Sequence, residues 1–252
     1  MAHEKASVTT VAPGVIRIHR AAVNFYLVSS GDGLILIDTG LPGMWRGLLR
    51  ALHEVGAAPE DIAAALLTHG HFDHVGLSDR LHGEHRVRSH VHPSDKELAQ
   101  HPYRYRPQRP RVSAPLRHPR GIPILARMTA AGALWVEGTK AKADVAPGRA
   151  MDVPGRPVPV WSPGHTDGHC GFLLPDRGVL FSGDALVTLD PYTGRTGPRL
   201  VSRSATADAE TNLLSLDALA VTDARLVLPG HGAPFEGGAR EAVAAARRVG
   251  VD

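Results

Sequence analysis

The chain has 252 residues, 43% hydrophobic and 21% charged, with 28 Lys and Arg against 25 Asp and Glu for a net charge of +3. That balance supplies a buried core and argues against disorder, and no apolar run reaches the ~18 residues needed to span a bilayer. One cysteine, Cys170, excludes a disulfide framework or a four-thiolate zinc site, so with 15 histidines any transition-metal site must be built from imidazole and carboxylate.

In chain order, short apolar runs at 15–19 and 24–29 read as strands, with Gly31-Asp32-Gly33 as a hairpin turn. Leu34-Ile35-Leu36-Ile37 is a continuous branched run, as in a strand buried on both faces, and it ends at the turn Asp38-Thr39-Gly40. Trp45, Leu48, Leu49 and Leu52 give helical spacing over 44–55, stopping near Gly56. A strand at 62–67 delivers the chain into Thr68-His69-Gly70-His71-Phe72-Asp73-His74. Six prolines among arginines make regular structure unexpected over 101–123, and a helix is expected over 124–136. Strands follow at 158–161, 171–174, 178–182 and 225–228, with helices at 206–221 and 238–249. Strand-rich halves that each close with helices predict two packed sheets covered by helices outside. The organisation expected is one domain over 1–252 with a Pro/Arg-rich insertion at about 101–136.

The chemistry concentrates at His69-x-His71-x-Asp73-His74, four potential ligands in six residues directly after a buried strand. Residues two apart on an extended segment point to one side, so His69 and His71 can converge on one ion. Adjacent Asp73 and His74 cannot both join them on a regular strand, but a turn into helix would let them face a second ion. Three other strand ends carry a ligand type beside glycine, where little bulk blocks an ion: Pro163-Gly164-His165, Ser182-Gly183-Asp184 and Pro229-Gly230-His231.

This ordered set, with the flanking Leu36-Ile37-Asp38-Thr39-Gly40 and Pro163-Gly164-His165-Thr166, resembles the metallo-β-lactamase superfamily, and the resemblance runs from about Val15 to Phe235. It implies an α+β fold, a four-layer αββα sandwich with the site at one edge between the sheets. It implies two divalent metal ions, zinc before iron or manganese. His69, His71 and His165 would bind the first, Asp73, His74 and His231 the second, and Asp184 would bridge them. Asp38 resembles the superfamily aspartate that orients the ligand loop, and His169 matches a common family histidine read as supporting the ligands.

The implied activity is a metal-dependent hydrolase that cleaves an ester, thioester or lactone through a metal-bridging hydroxide. Zinc brings bound water to a pKa of about 7, so hydroxide needs no separate strong base. Asp73 is the candidate that orients it or passes its proton to the leaving group. Tyr192 and Arg195, after Asp184, are candidates to contact a substrate carbonyl or carboxylate. Cys170 reads as a packing residue, with no His or Asp pairing in its segment to activate it. His90 and His92 alternate on a short strand without acidic partners and are left out of the site.

Departures narrow the branch. Some lactam-hydrolysing relatives carry a cysteine where this chain has Asp184; lactonases of this fold usually carry a tyrosine at the position of Val187; the glyoxalase II branch usually carries a lysine at that of Thr193. The alternatives are a mononuclear-iron, persulfide-dioxygenase-like oxidoreductase using His69, His165 and Asp184, and, further back, a phosphodiesterase or nuclease suggested by the arginine-rich insertion. The expected partner is a small-molecule substrate. A computed pI of 9.3 at net +3 is weak ground for nucleic acid, and neither nucleic acid nor a membrane is the expected partner. Residues 101–136 stand as either a lid or a homodimer surface. The opening MAHEKASVTT has no apolar stretch behind its charges, so no secretory signal and a cytoplasmic location are expected.

Overall fold

The computed structural model describes residues 4–111 and 113–251. The first half forms a six-stranded sheet in sequence order: β1 (Ser7–Ala12), β2 (Val15–Arg20), β3 (Val23–Ser30), β4 (Gly33–Ile37), β5 (Ile62–Leu66) and β6 (Arg88–His90). The first four are antiparallel neighbours, and β4, β5 and β6 run parallel, with helix α1 (Trp45–Glu54) crossing between β4 and β5. One helical turn, α2 (Phe72–Val75), and α3 (Ser78–His85) lie between β5 and β6, followed by α4 (Lys96–Gln100), α5 (Ser113–Arg117) and α6 (Ile122–Ala130).

The second half contributes β7 (Val158–Trp161), β8 (Cys170–Leu174), β9 (Val179–Gly183), the hairpin β10 (Val187–Leu189) and β11 (Thr196–Arg199), α7 (Ala209–Ala220), β12 (Leu226–Pro229) and α8 (Gly238–Val249). The second sheet runs β12-β9-β8-β7, with β12 parallel to β9.

Alternation along the strands explains the layers. Ile35, Ile37 and Leu66 point between the sheets, where they meet Phe172, Phe181 and Leu228. Their neighbours Leu34, Leu36 and Ala65 face the other way, onto Leu48 and Leu52 of α1 and Met128 of α6. Leu180 and Val227 of the second sheet likewise pack outward on Leu216 and Leu219 of α7 and Val243 of α8. The result is the αββα sandwich expected from the sequence. Among the described residues, no helix is long and apolar enough to cross a membrane.

Differences from the expected elements have local causes. The helix expected at 124–136 spans Ile122–Ala130, because Pro123 fits a first helical turn at no hydrogen-bond cost, and Gly132 turns left-handed at φ 98° just past the end. The start expected at 206 falls at Ala209, where Asp208 caps the helix by accepting from Thr211 N at 2.9 Å. Within 101–123, expected to be irregular, α5 and a 3-10 turn at Pro119–Gly121 form. This excursion leaves and rejoins the body at one place: Thr139 N donates to Ala99 O at 2.8 Å.

Candidate metal centre

Strand direction brings the chemistry to one edge. The C-terminal ends of β4, β5, β7, β9 and β12 lie there, leading into Asp38, Thr68–His74, His165, Asp184 and His231. Cross-links between the sheets hold the edge: Cys170 N donates to Thr68 O at 2.9 Å, Tyr26 Oη to Pro229 O at 2.7 Å, and Asn24 N to Gly230 O at 2.8 Å.

His71 is still extended (φ −70°, ψ 155°) before the single turn of α2 begins, which separates the two pairs of side chains. His69 Nε2 lies 3.1 Å from His71 Nδ1, which lies 2.9 Å from His165 Nε2. Asp73 and His74, on the helical turn, gather with His231, whose Nε2 is 3.3 Å from Asp73 Oδ2. Asp184 stands between the groups, with Oδ2 3.1 Å from His231 Nε2 and 3.5 Å from His165 Nε2, and Oδ1 3.5 Å from His74 Nε2. All seven side chains are buried.

The outward nitrogens fix which atoms remain for an ion. His165 Nδ1 donates to Thr206 Oγ1 (3.2 Å), whose own proton goes to Val201 O, and His231 Nδ1 donates to Ala22 O at 2.9 Å. His69 Nδ1 donates to Thr68 Oγ1 (3.0 Å), and His74 Nδ1 to Asp38 Oδ2 (2.8 Å). Each Nε2 of these four is therefore the atom turned toward the cluster, and in the neutral ring it is the one left to take an ion. Lone pairs crowded in a buried space repel unless a cation lies among them. Tetrahedral zinc with Zn–N of about 2.0–2.1 Å holds its nitrogens about 3.3 Å apart, close to the spacing of His69, His71 and His165. His74 Nε2 and Asp184 Oδ1 are buried without a hydrogen-bond partner. The donors present fit two metal ions.

The charge balance points the same way. Burial, reinforced by neighbouring imidazoles, pushes His69 and His71 well below the ordinary imidazole value and His165 to about 3. Burial acts in the same sense on His74 and His231, but carboxylates override it. Asp184, Asp38 and Asp73 hold His74 well above the ordinary value, and Asp184 and Asp73 take His231 to about 10. Asp184 is buried, yet His231 and His74 keep it well below the usual carboxylate range. Positive charge is stabilised where Asp73, Asp184, His74 and His231 meet.

Supporting residues surround this centre. Asp38 takes a left-handed backbone (φ 59°) and accepts from Thr68 N at 2.7 Å, Thr68 Oγ1 at 2.9 Å and His74. His169 Nδ1 meets Ser162 Oγ at 2.9 Å, while its Nε2 accepts from the backbone N–H of Asp184 (3.0 Å) and of Ala185 (3.2 Å). Burial, with His165 next, lowers His169 to about 3, which keeps that acceptor lone pair free. Sequence reasoning missed Asp95: its buried carboxylate accepts from Gly70 N (3.0 Å), Thr166 Oγ1 (2.7 Å) and Gly168 N (2.8 Å), stapling the His69–His71 loop to the His165 loop. A lone Asp in Pro93-Ser94-Asp95 carries no spacing signal that could have found it.

Tyr105 is a second residue that sequence reasoning did not place at the centre. Its ring centroid lies 3.9 Å from that of His71 with the planes tilted by 37°, and the Arg111 guanidinium lies 4.2 Å above it. Tyr192 is half-buried and hydrogen-bonds Tyr105, whereas Arg195 is exposed on the β10–β11 turn. His90 does have an acidic partner, Asp144 at 2.8 Å, and His92 stacks on Trp161; neither belongs to the three clustered ligand groups.

With this geometry goes a family assignment. The sequence profile of the metallo-beta-lactamase superfamily matches residues 20–231, and the chain belongs to that superfamily, whose members are usually metal-dependent hydrolases. It is similar to the probable metallo-hydrolase YflN of Bacillus subtilis (strain 168), 26% identical over 246 residues, which cover 90% of this chain and 86% of that protein. The crystal structure of the metallo-beta-lactamase family protein TTHA1429 from Thermus thermophilus matches with a TM-score of 0.65 at 27% identity, over 93% of this chain and 78% of that one. TTHA1623, determined in a di-iron-bound form, matches at 0.58 and 27% identity, over 85% and 89% of the two chains.

Proposed function

We propose that this protein is a dinuclear metal-dependent hydrolase of esters, thioesters or lactones, working as one domain over 1–252 with residues 101–136 as a cover. The observation that carries this reading is the pair of converging ligand groups, His69/His71/His165 and Asp73/His74/His231, with Asp184 between them. A single-iron site using His69, His165 and Asp184 is the dioxygenase alternative, and metal content with oxygen uptake separates it from hydrolysis. Zinc is the metal this reading places first; the di-iron form of TTHA1623 makes iron the competitor.

When bound, two divalent ions supply Lewis acidity toward a substrate carbonyl and a water ionised near neutral pH. The chain's residues do the rest. The Nδ1–H donors of His69, His74, His165 and His231 hold each Nε2 in its ligand tautomer. His169 fixes the backbone of Asp184 and thereby its carboxylate. Asp73 holds the proton released by the attacking water and returns it to the leaving group. Tyr105 and Tyr192 flank the approach to His71.

Metal quantification on purified protein, with a panel of lactone, thioester, lactam and phosphodiester substrates, tests the reading. About two divalent ions per chain and turnover of acyl substrates are expected, lost in His71→Ala and Asp184→Ala. One iron with oxygen uptake, or full activity in either variant, overturns it.

A further inference from the structure

Beside the cluster, between α2 and α6, lies a cavity of about 180 Å³ walled by Phe72, Tyr103, Leu125, Met128, Ala133 and Tyr192. Its walls are mainly apolar, with Arg111 the one charged side chain on the lining. The rings of Phe72 and Tyr103 stack at 5.4 Å and 13°. The phenol tip of Tyr103 is engaged elsewhere, donating to Ala133 O and accepting from Val136 N, each at 2.9 Å, so its ring presents only carbon. Leu125, Met128 and Thr129 come from one face of α6 at helical spacing.

The recess adjoins the metal centre through Tyr105, which lines it and whose ring centroid lies 3.9 Å from that of His71. Its far side carries half-buried Leu125 and exposed Leu134, so it is open to solvent and is not a packing gap. Of the ten large apolar side chains exposed among the described residues, four fall within 101–136 (Leu116, Ile122, Leu134 and Trp135), concentrating apolar surface on the cover. Beyond Tyr105 lies a second cavity, of about 330 Å³, bordered by Arg104, Arg106, Glu97, Asp167 and His165. The centre thus stands between an apolar recess and a charged one.

From this placement we infer the substrate class: an acyl compound whose apolar acyl group occupies the recess under α6, whose carbonyl lies at the cluster, and whose polar leaving group extends past Tyr105 into the charged cavity. At roughly 30 Å³ per water-sized group, the recess holds about six heavy atoms, which sets the preferred acyl length near six carbons. This inference rests on the hydrolase reading of the cluster and adds the substrate to it.

The test is binding of linear carboxylates from acetate to octanoate to the metal-loaded protein by calorimetry, with kcat/KM for the matching acyl esters beside it. Affinity should rise about fourfold per methylene, as burial of a methylene gives, and level off near hexanoate. Thr129→Phe and Leu125→Trp, each checked for folding by circular dichroism, should abolish the rise. Equal affinity for acetate and hexanoate, no hexanoate binding, or a slope that survives both variants overturns the inference. Absence of turnover on every acyl ester while hexanoate binds tightly sinks the hydrolase reading and leaves the recess assignment standing.

Discussion

Asp38→Asn perturbs the centre through one proton. Asparagine tolerates the left-handed backbone at φ 59°, so the turn itself is undisturbed. Its amide oxygen can keep the bond from Thr68 N, but its NH2 then points at His74 Nδ1–H, where a carboxylate oxygen accepts at 2.8 Å. Two donors cannot face each other, so His74 must move its proton to Nε2, the atom turned toward Asp184. Loss of such an orienting partner weakens metal binding by about 10–100-fold. In the metal-free protein the same change removes one charge-assisted bond, about 1.5–3 kcal/mol. At roughly 2–4 °C per kcal/mol for a chain of this size, the melting temperature should fall by about 5–10 °C. Competition against a chromogenic chelator measures the affinities, and thermal unfolding measures the rest. We expect one metal equivalent to weaken while the one held by His69, His71 and His165 stays within about threefold. Two equivalents at wild-type affinity would refute the tautomer argument.

The metal-free protein should be most stable near neutrality. The contribution of His74 and His231 is complete below about pH 6.5 and is lost as pH rises, toward about 10 for His231, whereas that of His69, His71, His165 and His169 is lost as pH falls below about 6.5, toward about 3 for the last two. Melting temperatures across pH 5 to 10 check this; a steady rise to pH 10 without metal contradicts it, and saturating metal should flatten the alkaline limb. Gly230→Ala should cost a metal equivalent, because its Cβ would overlap Asp184 Oδ1 and sit 2.7 Å from His74 Cε1. Gly83→Ala in α3, with nothing within 4 Å, serves as the control and should stabilise by about 0.5–1 kcal/mol. Cys170 is buried, and burial, with Asp95 second, pushes its thiol up to about 12, so a thiol reagent should label it only after unfolding; rapid labelling of the native protein contradicts that placement.

The elements legible in the sequence were those whose pattern answers to a large buried face. The runs at 34–37 and 62–67 announce central strands, and 158–161 and 238–249 coincide with β7 and α8. β1, with no buried residue on its sheet edge, and α3, whose one large buried side chain is Leu81, have little apolar signal to read. β10 and β11 are held by each other across a turn, a pairing that no single segment encodes. At the centre, glycine and ligand types at strand ends were visible as motifs. Asp95 and Tyr105 were not, because each acts through contacts set by folding: Asp95 by joining loops nearly a hundred residues apart (Gly70 and Thr166 or Gly168), Tyr105 by lying beside His71 from within a proline-rich stretch.

The hydrogen bond from Thr139 to Ala99 makes the intervening stretch a cassette whose two ends share one doorway. Changing its length costs only about 0.6 kcal/mol per doubling in closure entropy, and the strand ends that carry the imidazoles lie outside it. Evolution, or an engineer, can therefore splice in a different roof and retune what enters without rebuilding the floor.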